Sequence, residues 1–146
     1  MKIYLDACCL NRPFDDQNQD RIRLESEAIL VILNRLYNRK WEWIGSEVLD
    51  IEIRNTPNGE RLQYLKQLAL NIHQSIEINN NVVTRAKELA IIGFKSFDAM
   101  HISCSEIAYV DIFLTTDDKL IKLSERNKDK LKVSIANPLL WLMEKM

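Results

Sequence analysis

The chain has 146 residues, of which 47% are hydrophobic, and its formal net charge is -1 at pH 7. This length fits one domain spanning residues 1–146, and the apolar content excludes a disordered tail. The near-zero charge excludes a strongly basic composition, although the acids of a metal site can cancel basic groups in this sum. Three cysteines without framework spacing, no apolar run of membrane-spanning length and no signal-peptide pattern predict a cytoplasmic protein without membrane contact.

Apolar runs and helical stripes alternate along the chain. In chain order we predict a strand at residues 2–5, a loop at 11–20, a long helix over 21–36, a strand at 41–44, a helix capped by Ser46 and ended by Pro57, and a helical stripe over 62–72. There follow an ambiguous segment at 76–78, helices at 81–92 and 97–108, a strand at 111–115, a helix at 117–125, an edge strand at 132–135 and a closing helix at 139–143. This alternation predicts an α/β fold with a mainly parallel sheet that helices cover on both faces.

Four acidic residues occupy positions that such a fold can bring together. Asp6 ends the first strand, and Asp117 follows the strand at 111–115. Because sites form outside the carboxyl ends of parallel strands, these two side chains are expected to be neighbours. Asp98 lies in the first turn of a predicted helix, and Glu52 projects from a helix beside the sheet. Neighbouring carboxylates repel each other, so this grouping predicts a site for a divalent cation such as Mg²⁺.

Each of these acids has an ordinary structural explanation when it is taken alone. An Asp in the first helical turn is commonly a capping or dipole residue, an Asp after a strand commonly starts a turn, and a helical Glu is commonly solvated. The joint pattern favours the metal site. Two such ions, about 3.5–4 Å apart, can activate a water and stabilise a leaving oxygen in phosphodiester cleavage.

Four short motifs follow one another along the chain in the order typical of one protein family. They are IYLDAC at residues 3–8, SEVLDIEI at 46–53, FDAMH at 97–101 and LTTDD at 114–118, and together they span nearly the whole chain. On these motifs the chain resembles PIN-domain ribonucleases. The resemblance implies a three-layer α/β/α sandwich around a mainly parallel central sheet.

The resemblance also implies an activity, a cofactor and partners. Asp6, Glu52, Asp98 and Asp117 match the four family acids, which bind Mg²⁺ or Mn²⁺ and cleave RNA. Many small single-domain members are toxins of toxin–antitoxin pairs, often dimeric and silenced by a cognate antitoxin. The expected partners are therefore an RNA substrate, an antitoxin protein and a second copy of the chain.

Several assignments stay open on the sequence alone. Asp118 competes with Asp117, and Glu47 competes with Glu52, although the Thr-x-Asp spacing and the preceding apolar run favour Asp117 and Glu52. Arg12, in the loop after the first strand, is the preferred candidate for holding substrate phosphate oxygens.

His101 follows Asp98 by three residues and is interpreted as a core histidine or as one that supports the metal ligands. A zinc site is disfavoured because the chain has only two histidines and no second pair of ligands at suitable spacing.

Two other functions are compatible with the same fold. One is a catalytically weak PIN-like module that binds RNA or protein. The other is a phosphatase in which Asp6 acts as the nucleophile, but such an enzyme commonly has a second Asp two residues later, where this chain has Cys8. The few glycines form neither a GxGxxG nor a Walker motif, so nothing supports a nucleotide cofactor.

Overall fold

A computed structural model describes residues 1–146 as five strands, eight α-helices and two short 3₁₀ helices. The elements are β1 (Lys2–Leu5), α1 (Ala7–Asn11), α2 (Asp20–Tyr37), β2 (Glu42–Ser46), α3 (Glu47–Arg54), α4 (Gly59–Ala69), β3 (Gln74–Ile76), α5 (Asn80–Ile92), α6 (Ser96–Ile107), β4 (Ile112–Leu114), α7 (Asp118–Arg126), β5 (Ile135–Ala136) and α8 (Pro138–Lys145), with 3₁₀ turns at Arg12–Phe14 and Lys128–Lys130. No helix is long and apolar enough to cross a lipid bilayer.

All five strands form one parallel sheet in the order β3-β2-β1-β4-β5. The central strand β1 pairs with β2 on one side and with β4 on the other, so Ile3 lies between Trp43 and Ile112. The amide of Asp6 donates to the carbonyl of Leu114 at 3.0 Å, which aligns the carboxyl ends of β1 and β4. This edge of the sheet is where a site is expected in a parallel α/β fold.

Helices cover both faces of the sheet, as the sequence predicts. Side chains alternate between the faces along a strand. Accordingly, Ile3 and Leu5 belong to one cluster of 17 buried residues, while Tyr4 belongs to a second cluster of 15. Tyr4 stacks on Phe113 of the neighbouring strand, with ring centroids 5.3 Å apart. These two cores are the physical basis of the three-layer α/β/α sandwich.

The structure differs from the sequence prediction mainly at short elements. The stretch around residues 11–20 was predicted to be a loop, but α1 extends to Asn11 and a 3₁₀ turn follows. The edge strand predicted at 132–135 is instead found at Ile135–Ala136, so only Ile135 was placed correctly, and the ambiguous segment at 76–78 contributes its first residue to β3. A helix of five residues or a strand of two is too short to produce a recognisable hydrophobic period.

Candidate metal centre

Asp6 is fixed at the carboxyl end of β1 by hydrogen bonds to both of its carboxylate oxygens. Its Oδ1 accepts from the amide of Ala7 at 2.8 Å, which caps α1, and its Oδ2 accepts from Oγ1 of Thr115 at 2.9 Å. The thiol of Cys8 lies 3.5 Å from the same Oδ2. Burial raises the pKa of Asp6, while His101 and the hydroxyl of Thr115 act in the opposite direction. The side chain is therefore held in one orientation, in surroundings that disfavour an uncompensated charge.

Asp117 follows β4 and is tied to Asp6 through one hydroxyl group. Oγ1 of Thr115 donates to Asp6 and accepts from the amide of Asp117 at 3.1 Å. The carboxylate of Asp117 caps α7, because its Oδ1 accepts from the amides of Lys119 and Leu120 at 3.0 and 3.2 Å. Its other oxygen accepts no hydrogen bond from the protein.

Asp98, in the first turn of α6, is the acid with the fewest partners. It is half-buried, and its carboxylate accepts no hydrogen bond from any protein group. Burial, followed by the negative charges of Asp6 and Asp117, raises the pKa of Asp98 to about 6. The repulsion indicates that these three carboxylates share one region of the structure, where a cation would relieve the strain of like charges.

Glu52 reaches the cluster from α3 and contacts a buried chain of polar groups. The carboxylate of Glu52 is hydrogen-bonded to Nε2 of His101, and this nitrogen also lies 3.9 Å from Oδ1 of Asp6. Ligand atoms of Asp6, Glu52 and His101 all lie within 4.8 Å of one another. Glu52 is thus brought to the same pocket as the strand-end acids.

The buried chain continues behind His101. Its Nδ1 lies 2.5 Å from the hydroxyl of Tyr4, which lies 2.6 Å from Oγ of Ser46. Ser46 accepts from the amide of Leu49 at 3.1 Å and so caps α3. The polar groups form one continuous chain: Ser46 is hydrogen-bonded to Tyr4, Tyr4 to Nδ1 of His101, and Nε2 of His101 to Glu52. The chain therefore orients Glu52 from the core.

The residues present fit a hard divalent cation. The cluster offers carboxylate oxygens from four separate elements or strand ends, and three of those carboxylates, Asp98, Asp117 and Glu52, retain an oxygen without a protein hydrogen bond. Asp6, Asp98 and Asp117 are the residues that would hold such an ion, with Glu52 beside them. The imidazole nitrogen of His101 is already engaged with Glu52.

The competing candidates from the sequence have partners elsewhere. Asp118 makes two hydrogen bonds to Arg21, at 2.6 and 2.8 Å, and this guanidinium lowers the pKa of Asp118. Glu47 accepts from the amide of Ile78 at 2.7 Å. The structure thus brings Asp117 and Glu52, rather than these neighbours, to the cluster. Their roles as metal ligands remain predictions.

Arg12 is also engaged in ion pairs. Its guanidinium lies 2.8 Å from Glu25 and 3.2 Å from Asp15, and Glu25 is almost completely buried. Its role in holding substrate phosphates stays a prediction. To play that role, the guanidinium would have to contact a phosphate while it is paired with Glu25 and Asp15.

The chain of Ser46, Tyr4 and His101 was not predicted from the sequence. Tyr4 is indistinguishable from a core residue in a buried strand, and the only available signal was the three-residue spacing between Asp98 and His101, which places them on one helix face. The bridging role of Thr115 was likewise visible only as the Thr-x-Asp spacing.

Two solved structures are similar to this chain over nearly its whole length. One is FitAcB from Neisseria gonorrhoeae, with 13% sequence identity and a TM-score of 0.62, covering 93% of this chain and 97% of that chain. The other is VapBC2 from Rickettsia felis bound to a DNA fragment from their promoter, with 12% identity and a TM-score of 0.63, covering 94% and 98%. No protein-family model and no curated protein sequence matches the chain. At these identities the likeness shows the fold, and it confirms the PIN-like α/β/α architecture that the four motifs predict.

Proposed function

We propose, from the PIN-like fold and the acidic cluster, that this chain is a Mg²⁺- or Mn²⁺-dependent endoribonuclease and the toxin of a toxin–antitoxin pair. The proposal rests mainly on the surroundings of the Asp98 carboxyl group. This carboxyl group has no hydrogen-bond donor and lines one groove together with Asp117, and burial followed by the charges of Asp6 and Asp117 raises its pKa to about 6. A chain gains nothing in stability from such an arrangement unless a cation or a substrate compensates for it.

The four acids would have distinct roles in cleavage. Asp6, Asp98 and Asp117 would hold the ion, and Glu52 would bind a second ion or orient the attacking water. Bound divalent ions would supply an activated water and neutralise charge on the leaving oxygen. Asp6 is preorganised for this role by Ala7 and Thr115, and Glu52 is preorganised by His101. Neither a histidine nucleophile nor a covalent intermediate is needed.

The toxin role and the partners rest on the structural likeness. FitAcB and VapBC2 are toxin–antitoxin complexes, and the present chain covers almost all of the chain matched in each. This likeness supports a cognate antitoxin protein as a partner. RNA as the substrate, and a homodimer as the assembly, follow from the family resemblance of the four motifs.

Cleavage of a labelled RNA by antitoxin-free protein tests the activity. The wild-type chain should cleave in Mn²⁺ and stop when a chelator is added. Asp117→Asn should abolish cleavage, whereas the matched control Asp118→Asn should retain it, because Asp118 pairs with Arg21 outside the cluster. Equal cleavage with and without chelator, or an equal loss in both variants, would contradict the proposed metal centre.

A catalytically weak binding module is the second candidate, and one observation favours it. Asp6 accepts hydrogen bonds from Ala7 and Thr115, Glu52 contacts His101, and Asp117 caps α7, so three of the four acids are partnered by the protein itself. Such a site can be stable with little affinity for metal. RNA binding in chelator, together with no cleavage of any RNA in Mn²⁺, would favour this candidate over the nuclease.

A further inference from the structure

A groove with an unusual excess of basic side chains opens beside the candidate metal centre. Its volume is about 370 Å³, and Asp98 and Asp117 are among its lining residues. Four basic residues also line it, and we call it the basic groove for that reason: Lys95, Lys119, Lys122 and Arg126. These four cations gather in one place although the net charge of the whole chain is -1.

None of the four basic residues has an acidic partner. All four are exposed, and none lies within 4.0 Å of a carboxylate oxygen. Four arginines elsewhere, by contrast, are paired with acids: Arg12, Arg21, Arg23 and Arg85. Four of the chain's unpaired cations therefore line the groove where the candidate site opens.

The three cations on α7 repel one another, while the charge of Lys122 also acts favourably on Asp118. Lys119, Lys122 and Arg126 follow one another at spacings of three and four residues, which places them on one face of the helix. Like charges at these spacings slightly destabilise a helix. Leu120 and Leu123 anchor the helix in the core beside them. A polyanion lying in the groove would turn this repulsion into attraction.

We propose that the basic groove binds the sugar–phosphate backbone of the RNA strand that enters the metal centre. The inference rests on the proposed function and adds the path of the substrate to it. The distance along α7 from Lys119 to Arg126 is about 10 Å at 1.5 Å per residue, which is long enough to follow more than one phosphate. Lys95, at the start of α6, faces the same groove from the opposite wall.

The chemistry of the groove favours contacts to phosphates over contacts to bases. Three of the four cations are lysines, which act as point charges and carry no fixed hydrogen-bonding pattern. The only aromatic residue in the lining, Phe94, is 4% exposed and cannot act as a stacking platform. Binding along the groove should therefore depend on salt and not on sequence.

Fluorescence anisotropy of a labelled single-stranded RNA in chelator measures this binding without any cleavage. The groove variant changes Lys95, Lys122 and Arg126 to Gln together, leaving Lys119 beside the Asp117 cap untouched. The matched control changes three other exposed and unpaired lysines to Gln: Lys40, Lys66 and Lys87. Melting temperatures of both variants should stay close to that of the wild type, since no substituted side chain is buried or ion-paired and relief of the repulsion along α7 has only a small effect.

The expected result is a difference between the two triple variants. Losing three phosphate contacts should reduce the slope of log K against log salt by roughly 2, since each contact to a single strand contributes about 0.7. Affinity at low salt should fall by about tenfold or more in the groove variant and stay near the wild-type value in the control. Equal affinities or equal slopes in the two variants would overturn the inference.

Three further outcomes separate this inference from its rivals. If polyglutamate displaces the RNA as effectively as unlabelled RNA does, the groove is a site for an acidic protein segment and the RNA assignment is wrong. If the wild type binds RNA through the groove but never cleaves it in Mn²⁺, the groove inference stands and the nuclease proposal fails. If the wild type cleaves and the groove variant binds and cleaves equally well, only the groove inference fails.

Discussion

Replacing Asp98 by Asn should stabilise the metal-free protein at neutral pH. The pKa of Asp98 is raised from 3.8 to about 6, first by burial and then by the charges of Asp6 and Asp117. This difference of about two pH units corresponds to about 3 kcal/mol, at about 1.4 kcal/mol for each unit. Because Asp98 is only partly buried, solvent screening reduces the expected gain for Asp98→Asn to roughly 1–2 kcal/mol.

Because the pKa of Asp98 is raised, the wild type and the variant should differ in stability only within a defined pH range. A carboxyl group whose pKa is higher in the folded than in the unfolded state binds protons more tightly when folded, so the folded state is favoured at low pH. That contribution is complete below the unfolded value of 3.8 and is lost as the pH rises through about 6. Wild type and Asp98→Asn should therefore have similar stabilities near pH 4 and differ most above pH 7.

Urea unfolding in chelator at both ends of this window is the assay. Asp118→Asn is the control, because Arg21 lowers the pKa of Asp118 and the neutral variant should gain no stability at neutral pH. Saturating Mn²⁺ should then stabilise the wild type and have less effect on Asp98→Asn. A lower free energy of unfolding for Asp98→Asn than for wild type above pH 7 would refute the reasoning, because it would make Asp98 a structural hydrogen-bonding residue.

Three other substitutions test separate parts of the structure. Asp6→Asn should remain folded but lose most of the Mn²⁺-induced rise in melting temperature, and unfolding of this variant in chelator would identify Asp6 as a structural residue instead. Tyr4→Phe leaves Nδ1 of His101 without its hydrogen-bond partner, so urea unfolding should show a loss of roughly 1–3 kcal/mol; an unchanged stability would mean that the buried chain is not formed. Glu25→Ala removes the buried partner of Arg12 and should cost roughly 3–5 kcal/mol by the same assay, whereas a loss below about 1 kcal/mol would indicate a solvated pair.

The fold could be predicted where long-range packing and local pattern agree. The central strands β1 and β4 are buried on both faces, so they appear in the sequence as continuous apolar runs such as Ile3 to Leu5. The helix α1 could not be predicted, because it exists through the capping of Ala7 by Asp6 and has only five residues. The edge strand β5 was misplaced by a few residues, since only two of its residues pair with β4.

The acids of the candidate site could be located to different degrees. Asp6 and Asp117 follow from the rule that sites form at the carboxyl ends of parallel strands. The apolar run before Glu52 favours it over Glu47 in the sequence, but the reason appears only in the tertiary structure, where the carboxylate of Glu47 is bound by a backbone amide from a segment 31 residues away. The support of Glu52 by His101 joins residues 49 apart in the sequence, and no local pattern predicts it.

The most direct test of the metal centre is diffraction at the manganese absorption edge from crystals of the antitoxin-free chain soaked in Mn²⁺. An anomalous peak should lie in contact with the carboxylates of Asp6, Asp98 and Asp117, and it should be missing from crystals of Asp6→Asn. A fully occupied peak at other residues, or no peak at a Mn²⁺ concentration that supports RNA cleavage, would contradict the assignment of this cluster as the catalytic centre.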